Sequence, residues 1–167
     1  GNRDESMAPH GVYRCAGADT YVSIVVSTDD EWKGLCEAMG RLDWRSDQRL
    51  ADGPGRLLHR EELDACINDW TAIRSPFDLM ELLQGKGVAA VPSYSARNVF
   101  DDPHLKERDF FHEVTEPSGE IHTVFAAPWL VDGRRPGPTR PAPSLGQDNQ
   151  AVFGDLLGVP AAEIERL

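Results

Sequence analysis

The residues in this chain best suited to chemistry lie close to its start. Within Ser6-Met7-Ala8-Pro9-His10-Gly11, His10 is an imidazole set in a loop-like run of Ser, Pro and Gly. Such a group can orient a carboxylate or move a proton near neutral pH; the plainer alternative is an ordinary surface imidazole. Arg3 and Arg14 flank the run and could pair with an anion, although Asp4 and Glu5 are equally able to engage them. His59, His104, His112 and His122 have neither an i, i+4 pairing nor an H-E-x-x-H context, so no metal site is expected. Glu61-Glu62 falls near a predicted helix start, where negative charge complements the helix dipole, and is not read as an acid–base pair. Walker, G-x-G-x-x-G and G-x-S-x-G patterns are missing, so nothing points to a nucleotide loop or a serine nucleophile.

Composition narrows the class. The chain has 167 residues, 40% hydrophobic and 27% charged, enough for one self-sufficient domain or one domain with an extension. Seventeen basic against 28 acidic side chains give a net charge of −11, which disfavours nucleic acid and anionic membrane as partners. No apolar run approaches the ~20 residues of a membrane helix. Cys15, Cys36 and Cys66 form an odd set without C-x-x-C spacing, which fits a reduced, cytoplasmic setting rather than a disulfide frame.

The elements that must position the loop follow from periodicity. Residues 11–15 and 20–26 read as two strands around a Gly17-containing turn, the second a β-branched, nearly continuous apolar run. Thr28-Asp29-Asp30-Glu31 matches a capping box, and Trp32, Leu35, Cys36 and Met39 then form one helical stripe stopped by Gly40. Residues 43–55 read as a polar connector. A second helix is expected over 57–73, with Leu63, Cys66, Ile67, Trp70 and Ile73 on one face. A third starts at Ser75-Pro76 and carries Leu79, Met80 and Leu83. Residues 88–91 suggest a short strand, and 95–109 short helical turns broken at Pro103.

Residues 111–115 and 121–125 look like a hairpin. Residues 132–143 hold Gly133, Pro136, Gly137, Pro138, Pro141 and Pro143, too many fixed φ angles for helix or central strand. A terminal helix over 149–157, with Val152, Phe153, Leu156 and Leu157 buried, closes the list. The expected fold class is α+β: a small antiparallel sheet flanked by helices, then an extended Pro-rich arm and a C-terminal helix. The expected division is 1–109 for the first part and 110–167 for hairpin, arm and terminal helix.

Several phrases line up in order with one enzyme family. Ala8-Pro9-His10-Gly11-Val12-Tyr13-Arg14-Cys15, Asp29-Asp30-Glu31-Trp32 with Leu35-Cys36, and Gly87-Val88-Ala89-Ala90 come first. Asp102-Pro103-His104-Leu105, Ala127-Pro128-Trp129 and the run from Arg140 to Asn149 follow. In this order and spacing the chain resembles the small domain and C-terminal region of family III CoA-transferases, the group of formyl-CoA transferase, carnitine CoA-transferase and α-methylacyl-CoA racemase.

The resemblance implies a ring-shaped, two-domain subunit that interlocks with a second copy as a homodimer. Its large N-terminal, Rossmann-like domain would bind CoA. An aspartate of that domain would attack an acyl-CoA thioester, and CoA would pass to a free carboxylic acid through mixed-anhydride and aspartyl-CoA intermediates. The chain opens as if from the middle of a longer enzyme, so no catalytic residue is expected in it; alone it should be inactive. CoA and acyl-CoA would be substrates, with no tightly bound cofactor. The resemblance also implies that Met7, Ala8, Pro9, His10 and Gly11 form the substrate loop that closes over the reacting centre. That loop is glycine-rich in formyl-CoA transferase, whereas here it keeps one glycine and is stiffened by Pro9, which argues against formyl-CoA as substrate. An α-methylacyl-CoA racemase and a non-catalytic binding or assembly module are the alternative readings.

Overall fold

A computed structural model describes residues 4–166. The chain divides into two compact units, Gly1–Tyr94 and Ser95–Leu167.

The first unit is built on a three-stranded antiparallel sheet of order β1 (His10–Arg14), β2 (Tyr21–Val25) and β3 (Ala89–Pro92). The register pairs Tyr13 with Val22 and Gly11 with Ile24. Ile24 in turn pairs with Ala90. Period-two alternation therefore places Tyr13, Val22, Ile24 and Ala90 on one buried face, while Tyr21, Ser23 and Val25 of the central strand are only half-buried. Three helices cover that face. Helix α1 (Asp29–Met39) starts at the expected capping box: Thr28 Oγ1 accepts from Glu31 N at 3.2 Å, and Glu31 Oε2 accepts from Thr28 N at 2.9 Å. It ends at Gly40, whose φ of 69° is the left-handed conformation that glycine adopts most easily.

The stretch 43–55 departs from the expected connector. It forms α2 (Leu42–Ser46), a 3-10 turn (Gln48–Leu50) and α3 (Gly53–Leu58), and it buries Trp44 and Leu50. The Trp44 ring stacks on Trp32 with centroids 5.6 Å apart and planes 5° from parallel. Arg41 lies over the outer face of this pair and the buried Arg56 over the other. A solitary Trp in a polar run gave no periodic signal, yet its large apolar surface is best buried against another ring.

The helix expected over 57–73 is shorter. The chain turns at His59, and α4 runs Arg60–Thr71 with Leu63 and Ile67 in the core. Ile73 lies past the helix end and is exposed. Helix α5 (Pro76–Gln84) begins as expected, with Ser75 Oγ accepting from Phe77 N and Asp78 N, and it buries Leu79 and Leu83.

The second unit holds α6 (Ala96–Asp101), α7 (Pro103–Glu107) and the hairpin of β4 (Phe111–Thr115) and β5 (Ile121–Phe125). Phe100, Phe110, Phe111 and Phe125 cluster with ring centroids 4.9–5.9 Å apart. The Pro-rich segment forms no helix or strand; a tight turn pairs Val131 with Arg134. Residues Gln150–Leu156 wind as a π-helix, and Ala161–Ile164 form α8. Contrary to expectation, Val152, Leu156 and Leu157 are exposed and Phe153 is half-buried. Their apolar periodicity marks a helix face, and α8, which packs against this segment, leaves most of it exposed.

Candidate functional site

Asp4 shapes the loop ahead of β1. Its Oδ1 accepts from Ser6 N and Ser6 Oγ, each at 2.7 Å, and from Met7 N at 3.0 Å. The Ser6 hydrogen bonds, with a smaller contribution from His10, hold the Asp4 carboxyl below the usual carboxylate range. Met7 is half-buried, and Ala8 and Pro9 are buried across a cis peptide bond. The Pro9 carbonyl accepts from Val26 N at 2.9 Å, which ties the loop to the end of β2. His10 then begins β1 opposite Val25.

Gly11 and Tyr13 explain how the loop sits on the sheet. A Cβ on Gly11 would lie 3.0 Å from Cζ and Oη of Tyr13. The missing side chain lets the Tyr13 ring fold back along β1, where its hydroxyl donates to Asp64 Oδ1 at 2.7 Å. Burial and the Asp64 carboxylate push the Tyr13 hydroxyl far above its ordinary range. One turn earlier on α4, Arg60 Nη1 donates to the Asp4 carbonyl at 3.3 Å and its Nε to the Leu57 carbonyl at 3.1 Å. Asp4, Met7, Ala8, His10, Arg60 and Asp64 together enclose a cleft of about 10 Å³, room for about one water and far too small for an acyl group. This small cleft is therefore a braced junction of loop and helix rather than an acyl pocket.

Of the five residues expected in the loop, Met7, Ala8 and Pro9 lie in the loop while His10 and Gly11 are the first residues of β1, and Asp4, Tyr13, Arg60 and Asp64 support this junction. Sequence reading missed the last two because the bonds span about fifty residues and leave no local pattern. Arg3 lies outside the described residues. Arg14 is exposed, and its backbone carbonyl accepts from Thr71 Oγ1 at 2.7 Å. Among the described residues no three His, Cys, Asp or Glu side chains converge as metal ligands. Cys15, Cys36 and Cys66 are free thiols. No helix among the described residues is long and apolar enough to cross a membrane.

The family model described as CoA-transferase family III matches residues 1–149. The chain belongs to CoA-transferase family III. Among curated relatives, a probable CoA-transferase of Mycobacterium tuberculosis is 35% identical over 95% of this chain and 20% of its own length. The succinyl-CoA:mesaconate CoA-transferase of Haloarcula hispanica is 33% identical over 95% of this chain and 39% of its own length. A hypothetical protein of Mycobacterium tuberculosis, solved by crystallography, matches with a TM-score of 0.68 and 30% identity over 88% of this chain and 39% of that one. A CaiB/BaiF family protein from Brucella suis shares the fold with a TM-score of 0.75 at 24% identity, over 93% of this chain and 39% of that one. This member of the family thus spans about a fifth to two-fifths of the length of the curated relatives it matches.

Proposed function

We propose that this chain acts as the small domain and C-terminal return of a CoA-transferase that moves CoA between an acyl thioester and a free carboxylic acid. The observation that carries the reading is the family match over residues 1–149, combined with coverage of only 20% to 41% of the related enzymes. In this reading residues 1–109 belong to the small domain, and residues 110–167 return toward a large N-terminal CoA-binding domain, supplied by the same gene or a second subunit. The assembled enzyme is a homodimer in the cytoplasm, a setting supported by the three free thiols.

The nucleophile is an aspartate of the large domain. Its carboxylate attacks the thioester carbonyl and expels CoA thiolate, leaving a mixed anhydride. The thiolate attacks the aspartyl carbonyl, releasing the first acid and forming an aspartyl-CoA thioester. The acceptor carboxylate then attacks that thioester, expelling CoA thiolate and leaving a second mixed anhydride, whose new acyl carbonyl the thiolate attacks to give the product acyl-CoA and the free aspartate carboxylate. Residues Met7–Gly11 cover the anhydride against water, a requirement of any such intermediate, and His10 orients the acceptor carboxylate.

Identity of 32–33% to succinyl-CoA-dependent enzymes, against 24–25% to formyl-CoA:oxalate CoA-transferases, favours an acyl group larger than formyl. Transfer of CoA from succinyl-CoA to a dicarboxylic acid, assayed with the chain alone and with the large domain added, tests the reading. Activity appears only in the mixture, and His10→Ala lowers kcat there by about 10- to 100-fold. Turnover by the chain alone, or none in the mixture with any acyl-CoA, defeats it. Deuterium uptake at the α-carbon without acid exchange would assign racemisation instead.

A further inference from the structure

We propose that the cleft formed by the end of α7, the start of β4 and the 131–134 turn binds a small polyphosphate-type anion. The cleft has a volume of about 470 Å³ and is lined by Arg108, Arg134, Arg135 and His112, with Asp109 as the one carboxylate and Phe111 as an apolar wall. Three guanidinium groups against one carboxylate leave two positive charges in excess, on a chain whose net charge is −11. Such a local reversal of sign concentrates anions at this place.

One of the three guanidinium groups, that of Arg135, is held in position by the fold. Arg135 Nε donates to the Arg108 carbonyl at 3.0 Å and its Nη1 to the Ala127 carbonyl, and the guanidinium lies 5.5 Å from the Phe110 ring centroid. Its remaining N–H donors are left for a ligand. Arg134 leaves a two-residue turn in which Asp132 and Gly133 both have positive φ, 50° and 76°. Reciprocal backbone hydrogen bonds between Val131 and Arg134, at 2.8 and 2.9 Å, close that turn. Among the described residues the Arg108 and Arg134 side chains have no ion pair or hydrogen bond, so two guanidinium groups stand beside the fixed one without a carboxylate to neutralise them.

Geometry selects the anion. A carboxylate has two oxygens in one plane and pairs with one fork, whereas tetrahedral phosphoryl groups accept from several directions at once. Three guanidiniums from two backbone segments, Arg108 on one and the adjacent Arg134 and Arg135 on the other, match the second case. The inference does not depend on the transferase reading.

Calorimetric titration of the 167-residue chain with inorganic pyrophosphate at low ionic strength tests it. Saturable one-to-one binding is expected, with Kd on the order of 0.1–1 mM. Arg108→Ala/Arg134→Ala should weaken it at least about tenfold with unchanged circular dichroism, while Arg97→Ala, outside the cleft, should leave it unaltered. Amide shifts in the wild-type chain should cluster at His112 and Gly133. Absence of saturable heat, shifts centred elsewhere, equal affinity in the folded double variant, or equal affinity for succinate would each overturn the proposal.

Discussion

The Tyr13 hydroxyl donates to Asp64 Oδ1 at 2.7 Å, and this bond ties β1 to α4 beneath the loop that carries His10. It forms because Gly11, two residues earlier on the same face of the strand, leaves the space that the ring crosses. Tyr13 is 2% exposed, so its hydroxyl has no ready exchange for water if Asp64 is lost.

Tyr13→Phe should therefore lower stability by about 1–2 kcal/mol, and Asp64→Ala by about 1–3 kcal/mol because it leaves the hydroxyl buried and unpaired. Gly11→Ala should cost about 1–3 kcal/mol, since the new Cβ meets a ring that is fixed at both ends. Urea denaturation of the four proteins checks the order. A Gly11→Ala variant as stable as the parent would show that the ring yields freely.

Alkaline pH should weaken the first unit. Burial pushes the Cys36 thiol from 9.0 to about 11, and burial together with Asp64 raises Tyr13 further from its ordinary 10.0. Both groups are raised by folding, so their contributions are fully present below their unfolded values and decline as pH rises through about 9 to 11. Denaturation midpoints measured from pH 7 upward should fall in that window, and Cys36→Ala should flatten the early part of the fall.

The loop should loosen when its carboxylate is removed. Asp4 accepts three hydrogen bonds from Ser6 and Met7, so Asp4→Ala should raise hydrogen exchange at the Met7 amide by about 5- to 10-fold. Exchange at Val26, bonded to the Pro9 carbonyl, should change little if the buried Ala8-Pro9 segment stays seated. Equal loosening at both sites would mean that the loop and the sheet edge open together.

Arg56 should tolerate no replacement well. It is 3% exposed, faces Trp32, donates to Asp29 Oδ1 at 2.9 Å and to the Leu50 carbonyl at 3.3 Å. Arg56→Met and Arg56→Lys should each cost about 1–3 kcal/mol, the lysine because a point charge neither stacks nor reaches both acceptors. Full stability in the lysine variant would show that charge alone matters. Thermal melts of both variants decide between the two.

Much of the fold was legible from local chemistry. Thr28 and Glu31, Ser75 and Pro76, and Gly40 mark helix ends because caps are made by residues three or four apart. The 111–125 hairpin shows itself through alternation and a Gly119 turn. Within the Pro-rich segment, Asp132-Gly133 was a readable two-residue turn signal that the count of prolines obscured.

What the sequence determined by itself is whatever a few neighbouring residues can enforce: helix starts and stops, strand periodicity, and the ordered phrases that mark the family. Only the tertiary structure decided that Trp44 completes a stack with Trp32, that Arg60 and Asp64 brace the His10 loop, and that Arg108 meets Arg134 and Arg135 around one cleft. Those contacts join residues that are distant in the chain. Their energies depend on burial and direction, which exist only once the elements have packed.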